Sequence, residues 1–275
     1  MKGEQIKNHS SSTYLIPKGY TFKDSIHKNL TLISFMHQHD SADMNFDEYE
    51  GSEYLIAYAS QEQFNHVIKS LNKKIKFLVI ITSPKIENFS LLEGLANLEF
   101  VYINWNHKAA GLWNMKNNVH LKEIVLENCS KIHSLDDLET AANIRGLQLI
   151  GHWESKWRID SFKPLSTLCR LEILRLFEIF PEHDGFEPLY KLKNLKQLDM
   201  SQNIFPTHEY AKLAAHLTNT CSEVFDGVIY SEYLNEIQFV GKGKRALALD
   251  KAGSKEKAEK FRAEFLDMVK SYQDE

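Results

Sequence analysis

Residues 121–144 read LKEIVLENCSKIHSLDDLETAANI, and two apolar periods run through this stretch. Leu121, Ile124 and Leu126 make an apolar-x-x-apolar-x-apolar anchor, and Leu135, Leu138 and Ala141 follow as a ladder of every third residue leading to the next anchor at Ile144. A spacing of two suits a short strand, in which alternate side chains share one side. A spacing of three suits a 3₁₀-like turn, which is apolar along one edge. A strand and a turn with one apolar side each cannot bury it alone, whereas stacked copies can.

Working outward, the anchor recurs as Ile75–Leu78–Ile80, Leu98–Val101–Ile103, Ile144–Leu147–Leu149, Leu171–Leu174–Leu176 and Leu195–Leu198–Met200, with successive starts 23, 23, 23, 27 and 24 residues apart. The last five anchors are each preceded by a ladder, such as Phe89, Leu92 and Leu95 or Phe186, Leu189 and Leu192. Of the 30 positions so defined 29 are apolar, Asn118 being the exception. Composition alone would supply about 13, a gap that choosing the best register cannot close.

This pattern over residues 75–203 resembles the leucine-rich-repeat family, in its short-repeat, internalin-like or phosphatase-regulator-like subclass. The resemblance implies an α/β solenoid: a right-handed arc with one parallel sheet on the concave face and 3₁₀ or short helices on the convex face. The family places Asn, Cys, Ser or Thr at the ninth repeat position to hydrogen-bond the turn. Here that position holds Ser83, Asn106, Cys129, His152, Ile179 and Asn203, so irregular turns are expected at His152 and Ile179.

The flanks are less regular. Strands are expected at 30–35 and 53–59, then a helix over QEQFNHVIKSL with Phe64, Val67, Ile68 and Leu71 on one side. After Met200 come a helix over HEYAKLAAHLTNT, strands near 224–230 and 234–240, and a charged helix from Ser254 with Ala258, Phe261, Phe265, Met268 and Tyr272 along one stripe. We expect one domain over 1–275, with an N-terminal cap (1–74), repeats (75–203) and a C-terminal cap (204–275).

A net charge of −4 offers no global attraction for nucleic acid. Three cysteines without a CxxC pair suggest neither a disulfide framework nor a zinc site. No apolar run is long enough for a leader or a bilayer span, so a cytoplasmic chain without a membrane role is expected.

The family's usual binding surface is the strand face. Its expected solvent-facing residues are Phe77, Val79, Phe100, Tyr102, Glu123 and Val125, then Gly146, Gln148, Ile173, Arg175, Gln197 and Asp199, with Tyr54 and Ile56 joining if the first strand is in register. An apolar patch of this kind is either an interaction site or is covered by residues 1–50. The loop GHWESKWRIDS, residues 151–161, is four residues longer than its counterparts and carries Trp153, Trp157 and Arg158. These are residue types of binding hot spots, or the indoles pack on the neighbouring 177–185 loop. HQHD at 37–40 offers His37, His39 and Asp40 as metal ligands of a hydrolase, or is a solvated loop. GKGKR at 241–245 lacks the phosphate-loop spacing and reads as a basic turn. No nucleophile elbow, dinucleotide fingerprint or HExxH helix occurs. The expectation is therefore a non-enzymatic module without cofactor that binds another protein as adaptor, scaffold or inhibitor, through Phe77, Phe100, Tyr102, Trp153, Trp157, Arg158 and Arg175. A secreted bacterial effector and a hydrolase with a metal near His37 and His39 are the alternatives.

Overall fold

Because alternate strand residues are apolar in every copy, the strands can pair only with their ladder sides aligned, and one residue of slip would expose them all. The computed structural model describes residues 4–5, 30–36, 46, 49–152, 154 and 156–274. The chain divides into two compact units, residues 1–144 and 145–275.

In the first unit β1 (Glu4–Gln5) runs antiparallel to β2 (Thr31–Ser34). Parallel to β2 and to one another follow β3 (Glu53–Ala57), β4 (Phe77–Ile81), β5 (Phe100–Asn104) and β6 (Glu123–Glu127). The register matches the anchor arithmetic: Leu78, Val101 and Ile124 make one row, Ile80, Ile103 and Leu126 the next. All six are fully buried.

Tyr54 and Ile56 pair with Leu78 and Ile80, so they lie on the ladder side, contrary to the expectation that they face outward. Their strand meets β4 with Glu53 opposite Phe77, which turns Glu53, Leu55 and Ala57 to the outer face.

Helix α1 (Gln61–Leu71) stands where later repeats have a short turn. Ser60 and Gln63 close a reciprocal capping box at its start, and Phe64, Val67, Ile68 and Leu71 are buried. The turns that follow are 3₁₀ at Ser90–Gly94 and Asp136–Thr140, with Leu92 and Leu138 buried at their centres. No such turn forms at 112–118. There Asn118, 3% exposed, donates through Nδ2 to the Leu92 and Leu95 carbonyls (2.9 Å each), while its Oδ1 accepts from Trp113 Nε1 at 2.8 Å. The single polar ladder residue keeps its backbone turn hydrogen bonds (Asn118 N to Met115 O, Leu121 N to Asn118 O) and adds side-chain bonds to the preceding repeat.

The ninth-position residues do what the resemblance implies in this unit. Ser83 Oγ accepts from Ala59 N, Asn106 Nδ2 donates to the Ser83 and Ile86 carbonyls, and Cys129 Sγ donates to the Glu127 and Ile103 carbonyls. One position earlier the backbone turns left-handed: Tyr58 (φ 60°), Thr82 (46°), Trp105 (57°) and Asn128 (54°). For a residue other than Gly or Asn, such a conformation costs on the order of 1–3 kcal/mol.

The second unit pairs β7 (Gly146–Ile150), β9 (Ile173–Phe177) and β11 (Gln197–Met200) in parallel, with Leu147, Leu174 and Leu198 in one row. Two further strands, β8 (Trp157–Ile159) and β10 (Ile179–Pro181), make a separate parallel pair. The irregular turns expected at His152 and Ile179 are where this pair arises, with Ile179 opposite Trp157. Gly151 occupies the corner position that is left-handed in the first unit. It serves here by its size, because a Cβ would stand 2.5 Å from the Glu178 carbonyl oxygen. Turns at Lys163–Thr167 and Glu187–Lys191 are again 3₁₀, with Leu165 and Leu189 buried.

The unit closes with α2 (Thr207–His216), an antiparallel sheet of β12 (Val228–Ser231), β13 (Glu236–Phe239) and β14 (Leu247–Ala248), and α3 (Ser254–Gln273). Residues 223–226, expected as the start of a strand, form a 3₁₀ turn ended by the left-handed Gly227. Ala258 and Phe265 of the predicted stripe are fully buried. Each unit is a stack of repeats of the α/β class whose parallel strands share one sheet.

Candidate functional site

The outer faces of β2–β6 carry one apolar cluster: Leu30, Leu55, Ala57, Val79, Phe100, Tyr102 and Val125 are buried, with Leu32, Phe77 and Ile81 half-buried against them. The expectation that Phe100 and Tyr102 face solvent is therefore corrected. Tyr102 Oη donates to Glu127 Oε2 at 2.5 Å and accepts from Asn104 Nδ2 at 3.0 Å, so its polar tip is satisfied. Burial, followed by the neighbouring Glu127 charge, pushes the Tyr102 phenol well above its usual range. Burial likewise raises Glu53 at the margin.

Trp157 is also corrected: it is fully buried in β8, where it packs into the sheet formed with β10, as the alternative reading of this loop had it. Asp184 ties the inserted segment down by accepting from Ser161 Oγ and Phe162 N. Arg158 between Trp157 and Ile159 points outward and pairs with Glu182 at 3.6 Å. Trp153 and the HQHD segment with His37, His39 and Asp40 lie outside the described residues. Among the described residues no group of three or more His, Cys, Asp or Glu side chains is placed to hold a metal ion. No helix among them is long and apolar enough to cross a membrane.

The second unit presents an open groove of about 520 Å³ on its strand face, beside the C-terminal cap. Arg175, Phe177 and Asp199 line it from the strands, Glu223, Ile229 and Gln238 from the cap. Arg175 donates through Nε and Nη2 to Asp199 Oδ2 (3.2 and 2.9 Å) and through Nη1 to Gln148 Oε1 at 3.4 Å. Gln197 Nε2 adds a further hydrogen bond to Asp199 Oδ2 at 2.9 Å. Gln148, expected to face solvent, is only 1% exposed and acts as a buttress for Arg175. The guanidinium is thus fixed in position while its side chain keeps 15% of its surface at the groove.

A second surface was not anticipated. On the first unit Tyr58 and Trp105 are 40% and 49% exposed at equivalent corners, with the smaller Thr82 between them. A cavity of about 410 Å³ adjoins Tyr58 and Thr82, lined also by Phe35, Met36, Pro84 and Lys85. The signal was available as a column at the eighth repeat position, but the strand and ladder patterns do not include it.

No protein-family model matches this sequence, and no curated protein matches it. Solved structures that match include an internalin of Listeria monocytogenes at 14% identity and a TM-score of 0.43, over 62% of this chain and 54% of that one. Internalin C2 of the same organism matches at 18% identity and 0.40, over 62% of this chain and 67% of that one. This chain thus spans little more than half the length of the first of these proteins.

Proposed function

We propose that this leucine-rich-repeat chain is a protein-binding module without catalytic activity, an adaptor, scaffold or inhibitor, and that the second unit's groove around Arg175 is its principal contact surface. One observation carries the reading: Arg175 is locked by Asp199 and Gln148 at the edge of an open groove that mixes apolar and polar walls. Ordering this side chain before binding removes an entropy cost that a mobile arginine would carry. Phe177, 37% exposed on the same strand, supplies an apolar anchor next to it. Arg158, in the inserted segment, and the half-buried Phe77 are secondary contacts in this reading. Phe100, Tyr102 and Trp157 act as scaffold, because they have no surface to offer.

The test is affinity capture from native cell extract with the wild-type chain and with Arg175→Glu and Phe177→Ala, compared by quantitative mass spectrometry. Loss of the same captured protein from both variants, with melting temperatures within a few degrees of wild type, supports the proposal. A partner retained at wild-type level by both folded variants overturns it. Truncating a binding hot spot typically weakens affinity by about 2 kcal/mol, roughly thirtyfold.

A further inference from the structure

We propose that the free edge of β14 in the C-terminal cap receives an acidic peptide in the extended conformation, which joins the β12–β13–β14 sheet as a further strand. None of the residues invoked lines the groove around Arg175, so the failure of either proposal leaves the other standing.

The first argument is an open hydrogen-bonding edge. β14 is the outermost strand of its sheet, and among the described residues it pairs only with β13. Ala248 stands opposite Glu236, and Leu249 N donates to Asn235 O at 2.9 Å. In an antiparallel ladder these two facts give the backbone of Leu247 and Leu249 to β13 and turn that of Ala248 to the free side. The Ala248 carbonyl accepts from Lys251 N at 3.3 Å, which leaves the Ala248 N–H as the open donor. Ala246 and Ala248 are exposed and small, so they do not screen this edge, while Leu249 packs against Val228, Ile237 and Ala258. An exposed strand edge is a template for one more strand.

The second argument is charge. Residues 241–260 carry seven Lys and Arg against Asp250, Glu256 and Glu259, whereas the rest of the chain has 26 basic and 34 acidic residues. All seven cations are exposed, and none forms an ion pair among the described residues. In the same unit Arg145, Arg158, Arg175, Lys196, Lys212 and Arg262 each have one. Lys244 and Arg245 precede β14 and Lys251 follows it. Lys244 Nζ lies 5.1 Å over the Phe261 ring, and Lys257 is one helical turn before Phe261 on α3, so both stand on the same flank. Gly241 N and Lys242 N donate to the Gln202 and Phe205 carbonyls at 2.7 Å each, which ties the basic loop to the body of the unit. Unpaired cations along an edge repel a second copy of that edge and attract an acidic segment.

The two observations together select the kind of partner. A phosphate backbone or a layer of anionic headgroups answers to the cations but has no use for a strand edge. An extended acidic peptide answers to both: one of its carbonyls accepts from the Ala248 N–H, and its carboxylates reach the lysines. Alternate residues of a strand share one side, so an acidic residue at every second position turns all the carboxylates toward α3, where Lys244 and Lys257 stand.

The probe is a fluorescein-labelled octapeptide of alternating glutamate and valine, titrated by fluorescence anisotropy against the full chain. A fully N-methylated copy keeps the charge but cannot lie along a strand edge. Wild-type protein is expected to bind the probe with a dissociation constant of about 10–100 µM, and the N-methylated copy at least about tenfold more weakly. Ala248→Pro removes the outward N–H without touching a bond to β13 and should weaken binding about tenfold, while Ala248→Ser leaves it unchanged. Lys244→Glu with Lys257→Glu should weaken it about tenfold or more, and added salt should weaken the wild type. Melting curves show which variants fold, and if Ala248→Pro does not, the N-methylated peptide alone decides. The proposal fails if wild type does not bind the probe at about 1 mM, if it binds the N-methylated copy equally well, or if folded Ala248→Pro binds as wild type does. Tighter binding of a DNA duplex or of phosphatidylserine vesicles, undiminished in Ala248→Pro, would assign the cations to nucleic acid or lipid and overturn the peptide reading.

Discussion

Asn118 shows how a residue that breaks a repeat pattern can hold that repeat together. By pattern alone, Asn118→Leu would complete the apolar ladder and should stabilise the protein. The structure predicts the reverse, because the substitution takes the acceptor from the buried Trp113 indole N–H and removes one of two donors from each of the Leu92 and Leu95 carbonyls, which keep Leu95 N and Leu98 N. An unsatisfied buried donor costs on the order of 1–3 kcal/mol and each further hydrogen bond lost about 1 kcal/mol, so a net destabilisation of about 1–2 kcal/mol is expected after the gain in apolar burial. Urea denaturation decides between the two, and a higher midpoint for the variant would return Asn118 to the status of an accident. The position was legible in the sequence as an exception. Its three hydrogen-bond partners were not, since two of them belong to the preceding repeat.

At the scale of elements, α3 is set against the cap at one point of close approach. Gly227 has φ 76°, and a Cβ on it would come within 2.6 Å of Phe265 Cγ. Gly243 has nearly the same φ, 78°, in open space. Gly243→Ala should therefore cost only the backbone penalty, about 1 kcal/mol, and Gly227→Ala at least about 2 kcal/mol more as Phe265 is displaced. Equal melting temperatures for the two variants would refute the contact. The strands, the 3₁₀ turns and the stripe of α3 were readable because burial on one side imposes a period on the sequence. The eighth-position corners were not, because Tyr58, Thr82 and Trp105 adopt a backbone that their residue types disfavour. The buried outer face was equally hidden, since outward apolar residues read alike whether they are covered or open. Of the candidate residues that the structure describes, only Arg175 and Arg158 stand where the sequence placed them at a surface, with Phe77 partly so.

For the whole molecule, buried proton donors in both units set a limit on the alkaline side. Burial pushes the Cys129 thiol up to about 12, and burial also raises the Tyr102 and Tyr210 phenols. In the unfolded chain these groups ionise near their ordinary values, about 9 for the thiol and 10 for the phenols. Above about pH 9 the unfolded state therefore releases protons that the folded state retains, and stability falls as pH rises. The thiol alone contributes a slope of up to about 1.4 kcal/mol per pH unit until its folded value is reached, and nothing below pH 9. Unfolding free energy measured from pH 7 to pH 11 should decline above about 9, and Cys129→Ala should make that decline shallower whatever its effect at pH 7. A flat profile for wild type would contradict this.

The β8–β10 pair bears on how such a chain can grow. A regular repeat of 23 residues can be copied or lost singly, because each strand accepts the one before it. β8 has no such freedom, since its only strand partner among the described residues is β10 of the following repeat. Losing either repeat by itself would strand the other's extra segment, with Trp157 or Ile179 stripped of cover. Residues 144–194 are therefore a single heritable block, and lineages related to this one should gain or lose the two repeats together.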